Sequence, residues 1–100
     1  MDKPSAIHHL AIQVEDVARA VKWYQEHFNC RLKYADDSWA ILAFDNISLA
    51  LVVPNQHPPH IAFVHPHIES FGTPKPHRDG TRSVYIQDSE GNAVEMLDLG

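Results

Sequence analysis

The 100-residue chain reads as an α+β protein built from two related half-chains, the second lacking most of the helix found in the first. Three observations predict this. Apolar and polar residues alternate with period two in short runs along most of the chain, the pattern of half-buried strands. One long stretch, Val17 to Phe28, instead repeats its apolar residues at helical spacing. The pattern His-apolar-Ala-apolar at residues 9–12 then returns at residues 60–63, so the chain restarts past its midpoint.

The first strand runs from Ile7 to Val14, with Leu10, Ile12 and Val14 on one face and His9, Ala11 and Gln13 on the other. Asp16 offers a helix N-cap, because its side chain can accept from an otherwise unpaired amide of the first turn. The helix that follows repeats Val17, Ala20, Val21, Tyr24 and Phe28 on one side and is expected to cover the apolar face of the first strand, ending at Asn29. Strands over Arg31 to Tyr34, Trp39 to Phe44 and Ile47 to Val53 come next, separated by turns at Asp36-Asp37-Ser38 and Asp45-Asn46. The first half therefore reads βαβββ.

Pro54 to Pro59 breaks the pattern, and His60 to Val64 restarts it in phase with the opening strand. Arg82 to Gln87 corresponds to Trp39 to Phe44, Asp88 to Asn92 is a turn, and Ala93 to Leu97 corresponds to the strand that closes the first half, so that Leu49-Ala50-Leu51 matches Val94-Glu95-Met96. Between Val64 and Arg82 only Ile68, Glu69, Ser70 and Phe71 can make a helical turn. The length leaves room for one domain spanning residues 1–100, with modules over about 6–54 and 59–99.

Composition narrows the function classes. At 44% hydrophobic and 21% charged residues the chain is an ordinary globular sequence. A net charge of −5, with no Lys/Arg cluster, predicts no nucleic-acid partner. No apolar run approaches the roughly 18 residues of a membrane span, and Met1-Asp2-Lys3-Pro4-Ser5 leads into the first strand without a signal-peptide core, so no membrane and a cytoplasmic location are expected. The lone Cys30 has no disulfide partner and reads as a small apolar residue. Histidine is the unusual count: five of the eight, together with six of the seven prolines, fall between Pro54 and His77.

Strand alternation puts His9, His60 and Glu95 on the face opposite the apolar one, each beside a residue expected in the core: Leu10, Ile61, and Val94 with Met96. Any one of them alone would be unremarkable in a sheet. Two imidazoles and a carboxylate at repeat-related positions on different strands instead suit a divalent ion, and three protein ligands leave positions open for water or substrate. The same alternation places Gln13, Ser48, Val52, Ser83, Tyr85 and Gln87 on that side. Gln13, Ser48, Ser83 and Gln87 are therefore expected pocket residues, Tyr85 the first candidate acid/base or hydrogen-bond donor, and His77, from its loop, the second. His8 and His27 point away, and His57, His65 and His67 read as solvated loop residues.

The stretches HLAIQVEDVARAVKWY, HIAF and DSEGNAVEML resemble the vicinal oxygen chelate superfamily of glyoxalase I, fosfomycin-resistance enzymes, bleomycin-resistance proteins and extradiol dioxygenases. The resemblance spans nearly the whole chain. It implies paired βαβββ modules whose mixed sheet curls into a cup, with metal ligands from the first and last strand of each module. By that match His9, His60 and Glu95 hold one divalent ion (Fe, Mn, Zn or Ni), while Ala50 occupies the place of a fourth ligand. In glyoxalase I that place holds a metal-binding glutamate implicated in proton transfer, a residue this chain lacks. A three-ligand site resembles instead the fosfomycin-resistance and dioxygenase branches.

The resemblance thus implies a metal-dependent enzyme acting on a small oxygen-chelating metabolite or antibiotic. The alternative is a non-catalytic protein that sequesters a small ligand, as bleomycin-resistance proteins do. With little helix in the second half, Ile61, Phe63, Val84, Ile86, Val94 and Met96 would form an uncovered apolar face. Either Ile68 and Phe71 fold back over it or a second copy of the chain covers it. A homodimer is expected, as is common in the superfamily.

Overall fold

The computed structural model describes residues 3–100; Met1 and Asp2, part of the opening segment read above as having no leader, lie outside the described residues. The elements are β1 (Ile7–Gln13), α1 (Val17–His27), β2 (Arg31–Ala35), β3 (Trp39–Ala43), β4 (Ser48–Val52), β5 (His60–Val64), a single 3-10 turn at Ile68–Phe71, β6 (Lys75–Pro76), β7 (Arg82–Gln87) and β8 (Ala93–Asp98). The strands form a mixed sheet in the order β2-β3-β4-β1-β5-β8-β7-β6. The fold class is the expected α+β pairing of βαβββ modules, with the second helix reduced to one turn. The chain divides into two compact units, His9–Pro59 and the residues up to His8 with His60–Gly100. The division falls inside β1, between two consecutive residues.

In the unit His9–Pro59, β1 runs parallel to β4 with Ala11 opposite Ala50, and β4 runs antiparallel to β3. Asp16 caps α1 as expected, its carboxylate accepting from the Arg19 amide at 3.0 Å. The helix buries Val17 and Val21 against Ala40, Leu42 and Leu51, with Val14, Tyr24, Phe44 and Leu49 around them. It packs on β2, β3 and β4. The expectation that it would also bury Leu10 and Ile12 needs correction, since these remain 39% and 38% exposed. A helix about 10 Å across, laid on strands about 4.8 Å apart, covers only two or three of them. On the opposite face Ala11, Ile41, Ala50 and Val52 form a second apolar cluster, with Trp39 against it. The β2–β3 turn is tied by Asp36, whose carboxylate accepts from Tyr34 Oη (2.6 Å), the Ser38 amide (2.8 Å) and hydroxyl (2.9 Å), and the Trp39 amide (3.0 Å).

In the other unit β5 runs parallel to β8, and β7 antiparallel to β8. Ile68 is fully buried and packs with Val84 and Met96, with Ile86 and Val94 beside them. One turn thus supplies what a helix would, and Arg82 fastens it by reaching both Glu69 in the turn (2.9 Å) and Asp98 on β8. Of the two ways foreseen for covering this face, Ile68 folds back over it. Phe71 stays exposed, its ring edge-on to His65, and Ile61 is not in the core position expected for it but 40% exposed. The strand β6, which the sequence pattern does not reveal, pairs with the start of β7 and completes the second module.

Candidate metal centre

Glu95 is central to the site because of its register. On β8 its neighbours Val94 and Met96 face the Ile68 cluster, so Glu95 must point the other way. Pairing sets Ala62 of β5 on one side of it and Tyr85 of β7 on the other. His60, two residues before Ala62, shares that face. Glu95 is 4% exposed and His60 7%, and their side chains meet with His60 Nε2 3.1 Å from Glu95 Oε1. The Tyr85 hydroxyl lies 3.3 Å from the same Nε2, and its ring stands edge-on to the imidazole.

The second carboxylate oxygen has its own partner. His77 Nε2 lies 3.4 Å from Glu95 Oε2 and 2.6 Å from the Ser83 hydroxyl, and Ser83 is itself buried. The hydrogen bond to Glu95 raises the His77 pKa above its usual value against partial burial, with added pull from Glu95 and Asp79. Burial first, and the Glu95 charge second, push the Tyr85 phenol well above its ordinary range.

His77 comes to this place on a hairpin. Its amide donates to Thr81 O and its carbonyl accepts from Gly80, while Asp79 accepts from the Thr81 amide and hydroxyl. Gly80 has a φ of +88°, a conformation that favours glycine. Periodicity leaves His77 in a loop. The signal that could have placed it is the Asp79-Gly80 pair, a strong hairpin mark when strands flank it.

In the unit His9–Pro59, His9 is 6% exposed on the β1 face shared with Ala11. Its register partner on β4 is the half-buried Ser48. Ala50 sits in the apolar cluster with Ala11, Ile41 and Val52, so the position matching a fourth ligand offers no donor atom. Among the described residues, His9, His60 and Glu95 are each buried, and each offers an atom that could ligate a metal ion.

The donor set fits a divalent cation. Burying a carboxylate or an imidazole is costly unless it finds a charged or hydrogen-bonding partner, and a cation would be such a partner for each of these donors. Two nitrogens and one oxygen suit first-row divalent metals better than calcium, which prefers oxygen alone.

The remaining expected residues scatter. Gln13 is exposed and donates from Nε2 to His57 O at 3.2 Å. Gln87 is exposed at the end of β7. His27 stacks on Trp23 on the exposed side of α1, and His65 is half-buried with its Nδ1 accepting from the His67 amide. Cys30 is partly buried against Tyr24, in keeping with its reading as a small apolar residue.

A family model described as the glyoxalase/bleomycin resistance protein/dioxygenase superfamily matches residues 6–72. His9 and His60 lie within that match and Glu95 beyond it. Among solved structures, Streptomyces coelicolor methylmalonyl-CoA epimerase in complex with 2-nitronate-propionyl-CoA superposes with a TM-score of 0.79 at 15% identity, covering 96% of this chain and 95% of that one. Mycobacterium tuberculosis methylmalonyl-CoA epimerase gives 0.70 at 19% identity over 94% and 87%. A Vibrio splendidus glyoxalase/bleomycin resistance protein/dioxygenase superfamily member gives 0.70 at 11% over 95% and 99%. At these identities the likeness is one of fold. No curated protein matches the chain.

Proposed function

This chain belongs to the glyoxalase/bleomycin resistance protein/dioxygenase superfamily, and on that footing we propose that it is a divalent-metal-dependent enzyme acting on a small oxygen-chelating metabolite or antibiotic, with His9, His60 and Glu95 as its metal ligands. The observation that carries this reading is the burial of a carboxylate and two imidazoles as possible ligands, with His60 Nε2 3.1 Å from Glu95 Oε1. Such a group costs stability in a small core and needs a reason to persist.

An ion held by His9, His60 and Glu95, whether Fe, Mn, Zn or Ni, would supply Lewis acidity toward the oxygens of a chelating substrate. The chain's own residues do the rest. Tyr85, with its hydroxyl 3.3 Å from His60 Nε2, is placed to donate a hydrogen bond to a substrate oxygen held beside that ligand. Ala50 leaves the fourth family position without a base, so a proton taken from carbon would have to go to another group. Ser48 and Ser83 belong to the pocket side in this reading, with Gln13 and Gln87 at its exposed margin.

The chain is proposed to act in the cytoplasm as a homodimer. Among the described residues no helix is long and apolar enough to cross a membrane, and the exposed Leu10, Ile12 and Ile61 offer each copy an apolar surface to bury.

The deciding measurement is metal content by mass spectrometry on tag-free protein. About one ion per chain is expected in the wild type, lost in each of His9→Ala, His60→Ala and Glu95→Ala. Iron would direct the search for substrate toward dioxygen chemistry, and manganese, nickel or zinc toward Lewis-acid chemistry. A wild-type protein that neither carries nor takes up metal would leave the sequestering protein of the bleomycin-resistance type as the better reading.

A further inference from the structure

Ser83, His77 and Glu95 resemble at first sight a nucleophile, base and orienting acid. The atoms rule that arrangement out. In such a triad the imidazole meets the nucleophile through one nitrogen and the acid through the other. Here both partners meet the same nitrogen: Ser83 Oγ is 2.6 Å and Glu95 Oε2 3.4 Å from His77 Nε2.

The carboxylate beside that shared nitrogen favours the tautomer that carries a proton on it. A bare Nε2 would set its lone pair against a carboxylate oxygen, whereas an Nε2–H, nearer to Ser83 Oγ, also turns a positive proton toward Glu95 Oε2. The imidazole is therefore a donor aimed at one oxygen of Glu95. The other oxygen, Oε1, faces His60, the residue grouped with it among the candidate ligands.

We propose that His77 is a positioning residue, which holds Glu95 Oε2 through its Nε2–H so that the carboxylate offers a bound ion Oε1 alone. The inference rests on the reading that His9, His60 and Glu95 hold the ion, and adds how one of them is presented. A carboxylate free to swing would take an ion with both oxygens and occupy a position that a chelating substrate needs. Ser83, buried on β7, holds the imidazole from the side. The hairpin closed by Gly80 fixes where the ring enters. Partners of ligating carboxylates and imidazoles commonly matter to metal affinity by about 10–100-fold.

Cobalt(II) binding to the metal-free protein, followed by visible absorption, tests this. His77→Ala is expected to bind cobalt with affinity lower by about 10–100-fold, its d–d bands weakening as the carboxylate goes from one oxygen to two. His77→Gln, whose amide can donate in place of Nε2–H, is expected to recover most of the affinity and the wild-type bands. Gly80→Ala keeps the imidazole but strains the hairpin that aims it, at φ +88°, and is expected to shift both readouts in the same direction as His77→Ala. It carries the test should His77→Ala fail to fold.

Wild-type affinity and bands in His77→Ala, or in Gly80→Ala if that variant alone folds, would overturn the positioning role. So would a His77→Ala protein as unable to bind cobalt as Glu95→Ala, for His77 would then be a ligand itself. Glu95→Ala and His60→Ala run alongside separate the two failures. Cobalt retained in them overturns the three-ligand reading, while cobalt lost in them and unaffected in His77→Ala overturns the positioning role alone.

Discussion

Glu95 is a charged residue in a strand whose adjacent side chains, Val94 and Met96, pack under Ile68, and its burial demands compensation. His60 and His77 supply part of it from opposite sides. Tyr85 adds no charge but sets a hydroxyl beside His60. Tyr85→Phe therefore removes a hydrogen-bond donor while sparing all three proposed ligands. On a substrate that the wild type turns over, kcat is expected to fall roughly hundredfold, the lower end for a lost acid/base or donor group, with metal content unchanged. Full turnover in Tyr85→Phe would exclude the residue from the chemistry. Asp36 shows the same logic in a structural role. Burial works against its ionisation, but the hydrogen bonds from Tyr34, Ser38 and Trp39 outweigh it and hold the carboxyl well below the usual range. A depressed folded pKa contributes stability that is fully present above the unfolded value of about 3.9 and is lost as pH falls toward the folded value. Urea midpoints should show Asp36→Asn less stable than wild type at pH 6, with the gap narrowing below about pH 4. A gap independent of pH would mean the turn is held by shape and not by charge.

At the scale of elements, the second module shows how little structure can stand in for a helix. Ile68 buries its side chain completely over Val84 and Met96, and Arg82 holds the turn to β8 through Glu69 and Asp98. Packing stabilises the turn more than the ion pairs do, because exposed ion pairs contribute at most about 1 kcal/mol. Ile68→Ala is expected to cost about 2–5 kcal/mol, the range for emptying a buried aliphatic site, read as a lower urea midpoint with little change in slope. Arg82→Ala should cost far less. A loss below about 1 kcal/mol for Ile68→Ala would mean that the turn does not cover the face as described. The β6–β7 hairpin is the other decisive element, since it alone carries His77 to Glu95.

For the molecule as a whole, the apolar residues left exposed on each unit bear on assembly. Leu10 and Ile12 lie beyond the reach of α1, and Ile61 beyond that of the 3-10 turn. Burying them against a second copy would remove apolar area from water at roughly 25 cal/mol per Å². Light scattering across micromolar concentrations is expected to report a dimer. Leu10→Lys with Ile61→Lys should shift it toward monomer without unfolding it, since neither side chain is buried in the chain itself. A wild-type protein that is strictly monomeric throughout that range would remove the homodimer from the proposal.

Alternation alone put His9, His60 and Glu95 on a face apart from Leu10, Ile61, Val94 and Met96, because strand side chains change sides at every residue. The helix from Val17, its Asp16 cap, the restart at His60 and the single turn at Ile68 were legible for similar reasons, since period and capping are local properties. Which apolar face becomes buried was not local. Leu10, Ile12 and Ile61 carry the same pattern as buried residues, and only the width of α1 and the position of Ile68 decided that they stay exposed. The place of His77 was not local either. A two-residue strand is too short to show a period, so apart from the Asp79-Gly80 mark nothing local announced the hairpin, and that its imidazole comes within 3.4 Å of Glu95 was decided by the pairing of β6 with β7.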